Sequence, residues 1–163
     1  MVKKVVIVLA AAAVAVLLLR YFFPSDERLI RRQFDRLTEN ISRPAGEKAL
    51  AGLQRAAAVS DLFSDRVRLD LPEAGLAGEY DRQEIRTLAM VFRNRFTRLS
   101  VECRDLHMTL DRDQARITAT CRARGVAGSE QVRETREVRA ELVRTSEDGW
   151  LFSGCAFVQV LRR

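Results

Sequence analysis

The chain has 163 residues, 47% hydrophobic and 31% charged, which suits one globular domain with a short appendage and excludes both a disordered chain and a polytopic membrane protein. The net charge of +6 divides evenly: residues 1–24 hold Lys3, Lys4 and Arg20 with no acid, and the remainder sets 25 bases against 22 acids. Of the 28 bases 25 are arginine, but no basic helix or aromatic-and-arginine stacking surface accompanies them, so no nucleic-acid partner is expected.

The amino-terminal segment is the first element. Lys3-Lys4 precedes an uninterrupted apolar run from Val5 to Leu19, extended by Arg20-Tyr21-Phe22-Phe23 and stopped by Pro24. At about 1.5 Å per helical residue, residues 5–23 nearly cross a hydrocarbon core of about 30 Å, with Arg20 and the aromatics at the interface. Residues 1–24 therefore read as a transmembrane signal anchor. The competing reading is a cleaved secretory signal at Ala13-Val14-Ala15, which would cut the apolar run in its middle. A count of positives, with Arg20, Arg28, Arg31 and Arg32 beyond the run, slightly favours the opposite topology, but the short Lys-led tail argues for an inside amino terminus. The expectation taken is a single-pass protein of the bacterial inner membrane whose domain, residues 25–163, is exported to the periplasm.

From Ser25 the apolar period becomes helical. Ser25 stands as N-cap, Asp26 and Glu27 fill the first turn, and Ile30, Phe34, Leu37 and Ile41 recur at intervals of three or four. Arg43-Pro44-Ala45-Gly46 breaks this helix, and Leu50, Leu53 and Ala57 predict a second, shorter one. Val67 to Leu71 alternates and stops at Pro72, as an edge strand would. Asp81-Arg82-Gln83-Glu84 is a capping box opening a third helix with Ile85, Leu88, Ala89, Phe92 and Phe96 on one face.

Beyond Phe96 the period is two. Leu99, Val101 and Cys103 point inward, then the phase slips to Leu106, Met108 and Leu110, which predicts a bulge near Arg104 and Asp105. Asp111-Arg112-Asp113 turns into a strand with Ala115, Ile117, Ala119, Cys121 and Ala123 inward and an Arg/Thr row outward. Residues 125–131 read as a loop. Val138, Ala140 and Leu142 line the next strand, and Ser146 to Gly149 turns into a long apolar strand holding the only tryptophan, Trp150.

This order, two helices, a strand, a third helix and an antiparallel meander ending in Asp148-Gly149-Trp150, resembles the nuclear transport factor 2-like superfamily over about residues 26–163. The resemblance implies an α+β fold in which three helices pack in a curved, mostly antiparallel sheet shaped like a cone, here preceded by one transmembrane helix. Members such as ketosteroid isomerase, scytalone dehydratase and limonene epoxide hydrolase place acids, histidines or tyrosines in the cone, where burial of a carboxyl makes it a usable acid or base. In this chain the inward rows are apolar and Glu137, Arg139 and Glu141 fall on outward parity. The candidate catalytic residues are thus few. His107 would join Asp105 inside only if the bulge came later, and Tyr80, preceding the third helix, could overhang the cavity mouth. One histidine and scattered cysteines give no metal cluster, and no cofactor is expected.

If Asp111 to Asp113 is a three-residue turn, Cys103 and Cys121 come opposite each other on the inner face, as a disulfide or as a pair of small buried hydrophobes. Cys155 reads as core. The expected function is a membrane-tethered, non-catalytic binding or scaffold module that meets an apolar ligand or a protein partner, or its own copy, through cavity or sheet. Val143, Arg139 and Glu141 suit such a sheet contact. The alternative is a small-molecule isomerase, dehydratase or hydrolase acting in the cone. A cavity filled by Phe92, Phe96, Trp150 and Phe157, or lined only by apolar groups, is expected of the module.

Overall fold

A computed structural model describes residues 25–147 and 149–158. The expected anchor at residues 1–24 lies outside the described residues, and among those described no helix is long and apolar enough to cross a membrane. The chain divides into two compact units, residues 1–32 and 33–163. Helix α1 (Asp26–Ile41) opens in the first, where the Ser25 carbonyl accepts the amides of Arg28 at 2.9 Å and Leu29 at 3.1 Å.

Everything that follows belongs to the second unit. Helix α2 (Ala49–Ser60) leads into strand β1 (Phe63–Leu71), a 3-10 turn (Pro72–Ala74) and strand β2 (Leu76–Asp81). Helix α3 (Arg82–Asn94) precedes β3 (Arg98–Asp111), β4 (Gln114–Ala127), β5 (Glu130–Thr145) and β6 (Gly149–Phe157). The six strands make one sheet in the order β2-β1-β6-β5-β4-β3, parallel at β1–β6 and antiparallel elsewhere. The expected α+β class with three helices against a curved sheet holds.

Local chemistry sets the boundaries of α3: the Asp81 carboxylate accepts the Glu84 amide and the Glu84 carboxylate accepts the Asp81 amide, each at 2.8 Å. Helix α2 buries a different face from the one its leucines suggest. Leu50 and Leu53 are 68% and 43% exposed, while Ala56, Val59 and Ser60 are buried. Small side chains allow the closer approach, so the helix turns them inward and leaves the leucines outside.

Three more sequence expectations are corrected. Strand β1 is no edge: it lies between β2 and β6, with Val67 opposite Tyr80 and Leu69 opposite Cys155. The edge on that side is β2, whose Leu-Ala-Gly-Glu-Tyr-Asp carries no alternation to announce it. Residues 125–131 are not a loop, because β4 and β5 stay paired to Ala127 and Glu130 and leave a two-residue tip with Gly128 at φ +61°.

The bulge does fall between Arg104 and His107, with Asp105 at φ +53°. It also sets the cysteine register by a route the sequence reading lacked. Asp111 pairs with Gln114, so the turn has two residues, Arg112 and Asp113, and not three. The extra β3 residue at the bulge supplies the missing offset and brings Cys103 opposite Cys121.

The core sits where α1 meets β1 and β6. The Phe152 ring meets Phe34 edge-on at 5.1 Å between centroids and lies 5.3 Å from Phe63. Trp150, Leu151 and Phe152 are all buried, and the Trp150 carbonyl accepts the Gln33 amide group at 2.6 Å. Fully burying one such aromatic stabilises by about 1.5–3 kcal/mol. The final strand is thus principally a core strand.

Candidate functional site

Helices α1 and α3, the 3-10 turn and the inner faces of β3 to β6 enclose a cavity of about 450 Å³. Its wall is built by the two periodicities. Leu37 and Ile41 from α1, Val101 from β3, Ala123 from β4, Val138 from β5 and Phe157 from β6 make it mostly apolar. Phe92 and Phe157 line this hollow without filling it, and the Phe96 ring packs on Phe92 at 5.4 Å. Trp150 is buried and is not a lining residue.

The wall is not wholly apolar, which corrects the reading of the inward rows. The inner row of β5 runs back from Val138 through Arg136 to Glu134, and both side chains line the cavity together with Glu73 of the 3-10 turn and Arg95. The Arg136 guanidinium donates to Glu73 through Nη2 at 2.5 Å and Nη1 at 3.2 Å, and lies 3.6 Å from Glu134. Its Cζ is 6.0 Å from the centroid of the Phe157 ring. The Arg136, Glu73 and Glu134 side chains are 41%, 53% and 57% exposed, so this cluster is a wet rim and not a desolvated centre. Continuing the period-two count four residues past Val138 would have found Arg136 and Glu134. Glu73, in a 3-10 turn, has no such signal.

Three cysteines share the wall. Cys103 and Cys121 are joined by a disulfide across β3 and β4. Cys155 is free; burial pushes its thiol up to about 12, and the Glu141 carboxylate pushes the same way, so it is neutral at physiological pH and no nucleophile.

The candidate catalytic residues named from sequence do not converge. Asp105 is exposed within the bulge, His107 is exposed on the outer face opposite Thr118, and Tyr80 is half-buried on β2 opposite Val67. None of the three lines the cavity. Among the described residues no group of three His, Cys, Asp or Glu side chains could hold a metal ion.

A second charged cluster is structural. The Arg93 and Glu47 side chains are 2% and 4% exposed, and Arg93 Nη2 lies 2.6 Å from both Glu47 oxygens. Arg93 also donates to the Asn40 carbonyl, while Arg55 and Arg43 approach Glu47 at 3.3 and 3.8 Å. This ties α1, α2 and α3 at their ends. A Cβ on Gly52 would sit 3.2 Å from Glu47 Oε2, so the glycine leaves room for the carboxylate.

A sequence model of the SnoaL-like domain family matches residues 50–156. No curated protein sequence matches the chain. Several solved structures share its fold. One is a candidate aromatic ring hydroxylase from Novosphingobium aromaticivorans, with TM-score 0.67 and 20% identity, covering 86% of this chain and 93% of that one. A nuclear transport factor 2-like superfamily protein from Salmonella enterica superposes with TM-score 0.66 and 10% identity over 85% and 93% of the two chains. A candidate scytalone dehydratase from Novosphingobium aromaticivorans gives 0.63 and 11% over 83% and 84%. At these identities the likeness is one of fold.

Proposed function

Because the chain belongs to the SnoaL-like domain family, with its nuclear transport factor 2-like cone, we propose that it is a membrane-tethered, non-catalytic module whose cavity binds an apolar small molecule. The observation that carries this reading is the cavity itself. It offers about 450 Å³ of mostly apolar lining, and its charged groups stand at a wet rim, Glu73 and Glu134 around Arg136. General acid–base work needs a carboxyl or imidazole poised in reach of substrate; the Glu73 and Glu134 carboxyls are held by Arg136 at the wet rim, and the only histidine faces out. Tethering rests on the apolar run of residues 5–23. The Cys103–Cys121 bridge supports export, because structural disulfides persist in oxidising compartments.

The test is binding of a neutral naphthylamine fluorophore to the full-length chain. Ala123→Phe, which fills the hollow from β4, should abolish saturable enhancement, whereas Leu50→Ala on the exposed face of α2 should not. Equal enhancement by all three proteins refutes the cavity as the site. Fractionation with protease accessibility on spheroplasts tests the tether: recovery of the chain in the soluble fraction without its first 24 residues replaces it with a cleaved signal.

A second reading is an isomerase, dehydratase or hydrolase working at the same cavity, favoured by the convergence of Glu73, Glu134 and Arg136 and by enzymes among the fold's candidate members. Turnover of a cavity-sized substrate that Glu134→Gln removes would establish it.

A further inference from the structure

The outer face of the sheet carries arginines in two distinct settings. Two of them are paired: Arg104 lies 3.2 Å from Glu102 and Arg116 3.6 Å from Glu141. At the corner where β3 begins and the β4–β5 hairpin ends, they are not. Arg124 stands directly opposite Arg133 on one side and Ser100 on the other, and Arg98 is two residues from Ser100 on the same face. None of Arg98, Arg124 and Arg133 forms an ion pair among the described residues. Like charges facing each other across a ladder are destabilising, so the fold holds an unfavourable pair in place here.

Backbone packing enforces that juxtaposition. A Cβ on Gly125 would sit 2.8 Å from the Arg98 carbonyl oxygen and 2.8 Å from the Phe96 ring, so only glycine lets the start of β3 close on β4 beside Arg124. The side chains border a hollow of about 290 Å³ that Ser100 and Gln131 also line. Three guanidiniums, a hydroxyl and a carboxamide are the donors that a tetrahedral oxyanion takes, and guanidinium is the group best shaped for it.

We propose that this corner binds a phosphate monoester dianion. Positive charge without a carboxylate partner selects the anion, a second negative charge is favoured over one, and a hollow larger than bare phosphate admits a small organic substituent. The site lies on the sheet face opposite the cavity and does not depend on what the cavity holds.

Calorimetric titration of the full-length chain with inorganic phosphate and with glycerol 3-phosphate, at low ionic strength, tests it. Saturable binding is expected, weakened at least tenfold by the double variant Arg124→Gln/Arg133→Gln and unchanged by Arg116→Gln, whose side chain already has a carboxylate. Phosphate should raise the melting temperature of the parent chain and not of the double variant. Arg133→Glu alone should raise it without phosphate. Equal binding by parent and double variant overturns the proposal, as does an equal response to chloride at matched ionic strength. Preference for short-chain phosphatidylglycerol, a diester, over both monoesters would assign the corner to lipid headgroups and overturn it as well.

Discussion

Removing the Glu47 carboxylate should be among the most damaging single changes in this domain. Among the described residues Glu47 is the only carboxylate partner of Arg93, whose side chain is 2% exposed, and it also meets Arg55 and Arg43 at 3.3 and 3.8 Å. In Glu47→Ala the Arg93 guanidinium keeps the Asn40 carbonyl but loses both 2.6 Å contacts, leaving a buried charge uncompensated. Breaking a buried pair from one side costs about 3–5 kcal/mol, a large share of the ~5–15 kcal/mol by which a domain is stable. Glu47→Gln keeps an acceptor and should lose less. The double variant Glu47→Leu/Arg93→Leu should recover most of the loss, because an apolar pair removes the desolvated charge together with its partner. Urea unfolding followed by Trp150 fluorescence reads this directly, since the only tryptophan is 1% exposed in the fold. A loss below about 1 kcal/mol for Glu47→Ala would refute the view that this cluster locks the helices together.

Three other perturbations follow from named contacts. With its thiol pushed from 9.0 to about 12, Cys155 should be alkylated in the native state about 1000-fold more slowly than an ordinary peptide thiol near pH 8. Its contribution to stability is present below about pH 9 and is lost as pH rises toward 12, because only the unfolded thiol ionises in that window; peptide-like labelling at pH 8 would contradict both statements. Replacing Cys103 and Cys121 together by serine should lower stability by about 3 kcal/mol, the value for closing a loop of this length across a separation of 18 residues, as read by urea unfolding against the oxidised parent. Gly125→Ala should cost about 1–3 kcal/mol in the same assay, since its Cβ would meet the Arg98 carbonyl at 2.8 Å.

Where the sequence was legible, one local rule decided the outcome. The capping box at Asp81 and Glu84 marks α3 with its own side chains, and the phase slip after Cys103 marks the bulge because the pleat permits no other way to keep Leu106 and Met108 inside. The failures share a different cause: they turn on partners distant in sequence. Leucines 50 and 53 look like the buried stripe of α2, yet the close packing of small residues decides the face, and that depends on the neighbouring helix. Strand β2 is recruited by β1 and not by alternation of its own. Arg93 follows Ile85 and Ala89 at four-residue intervals, a signal that it faces inward, but a charge at that position makes sense only with Glu47 in view, 46 residues away.

The β4–β5 hairpin carries both halves of the functional reading, and a single alternation separates them. Glu134 and Arg136 face the cavity, and Arg136 pairs with both Glu73 and Glu134 at the rim. Arg133, one residue before Glu134, faces outward and meets Arg124, a like charge. A one-residue slip of β5 would exchange the two rows, sending the unpaired arginine toward an apolar hollow and the rim acids to the outer face. The disulfide at Cys121, opposite Arg136 on the neighbouring strand, ties β4 to β3 at this level and resists such a slip. Its placement therefore has a consequence beyond chain entropy: it holds the register on which the charge pattern of both faces depends.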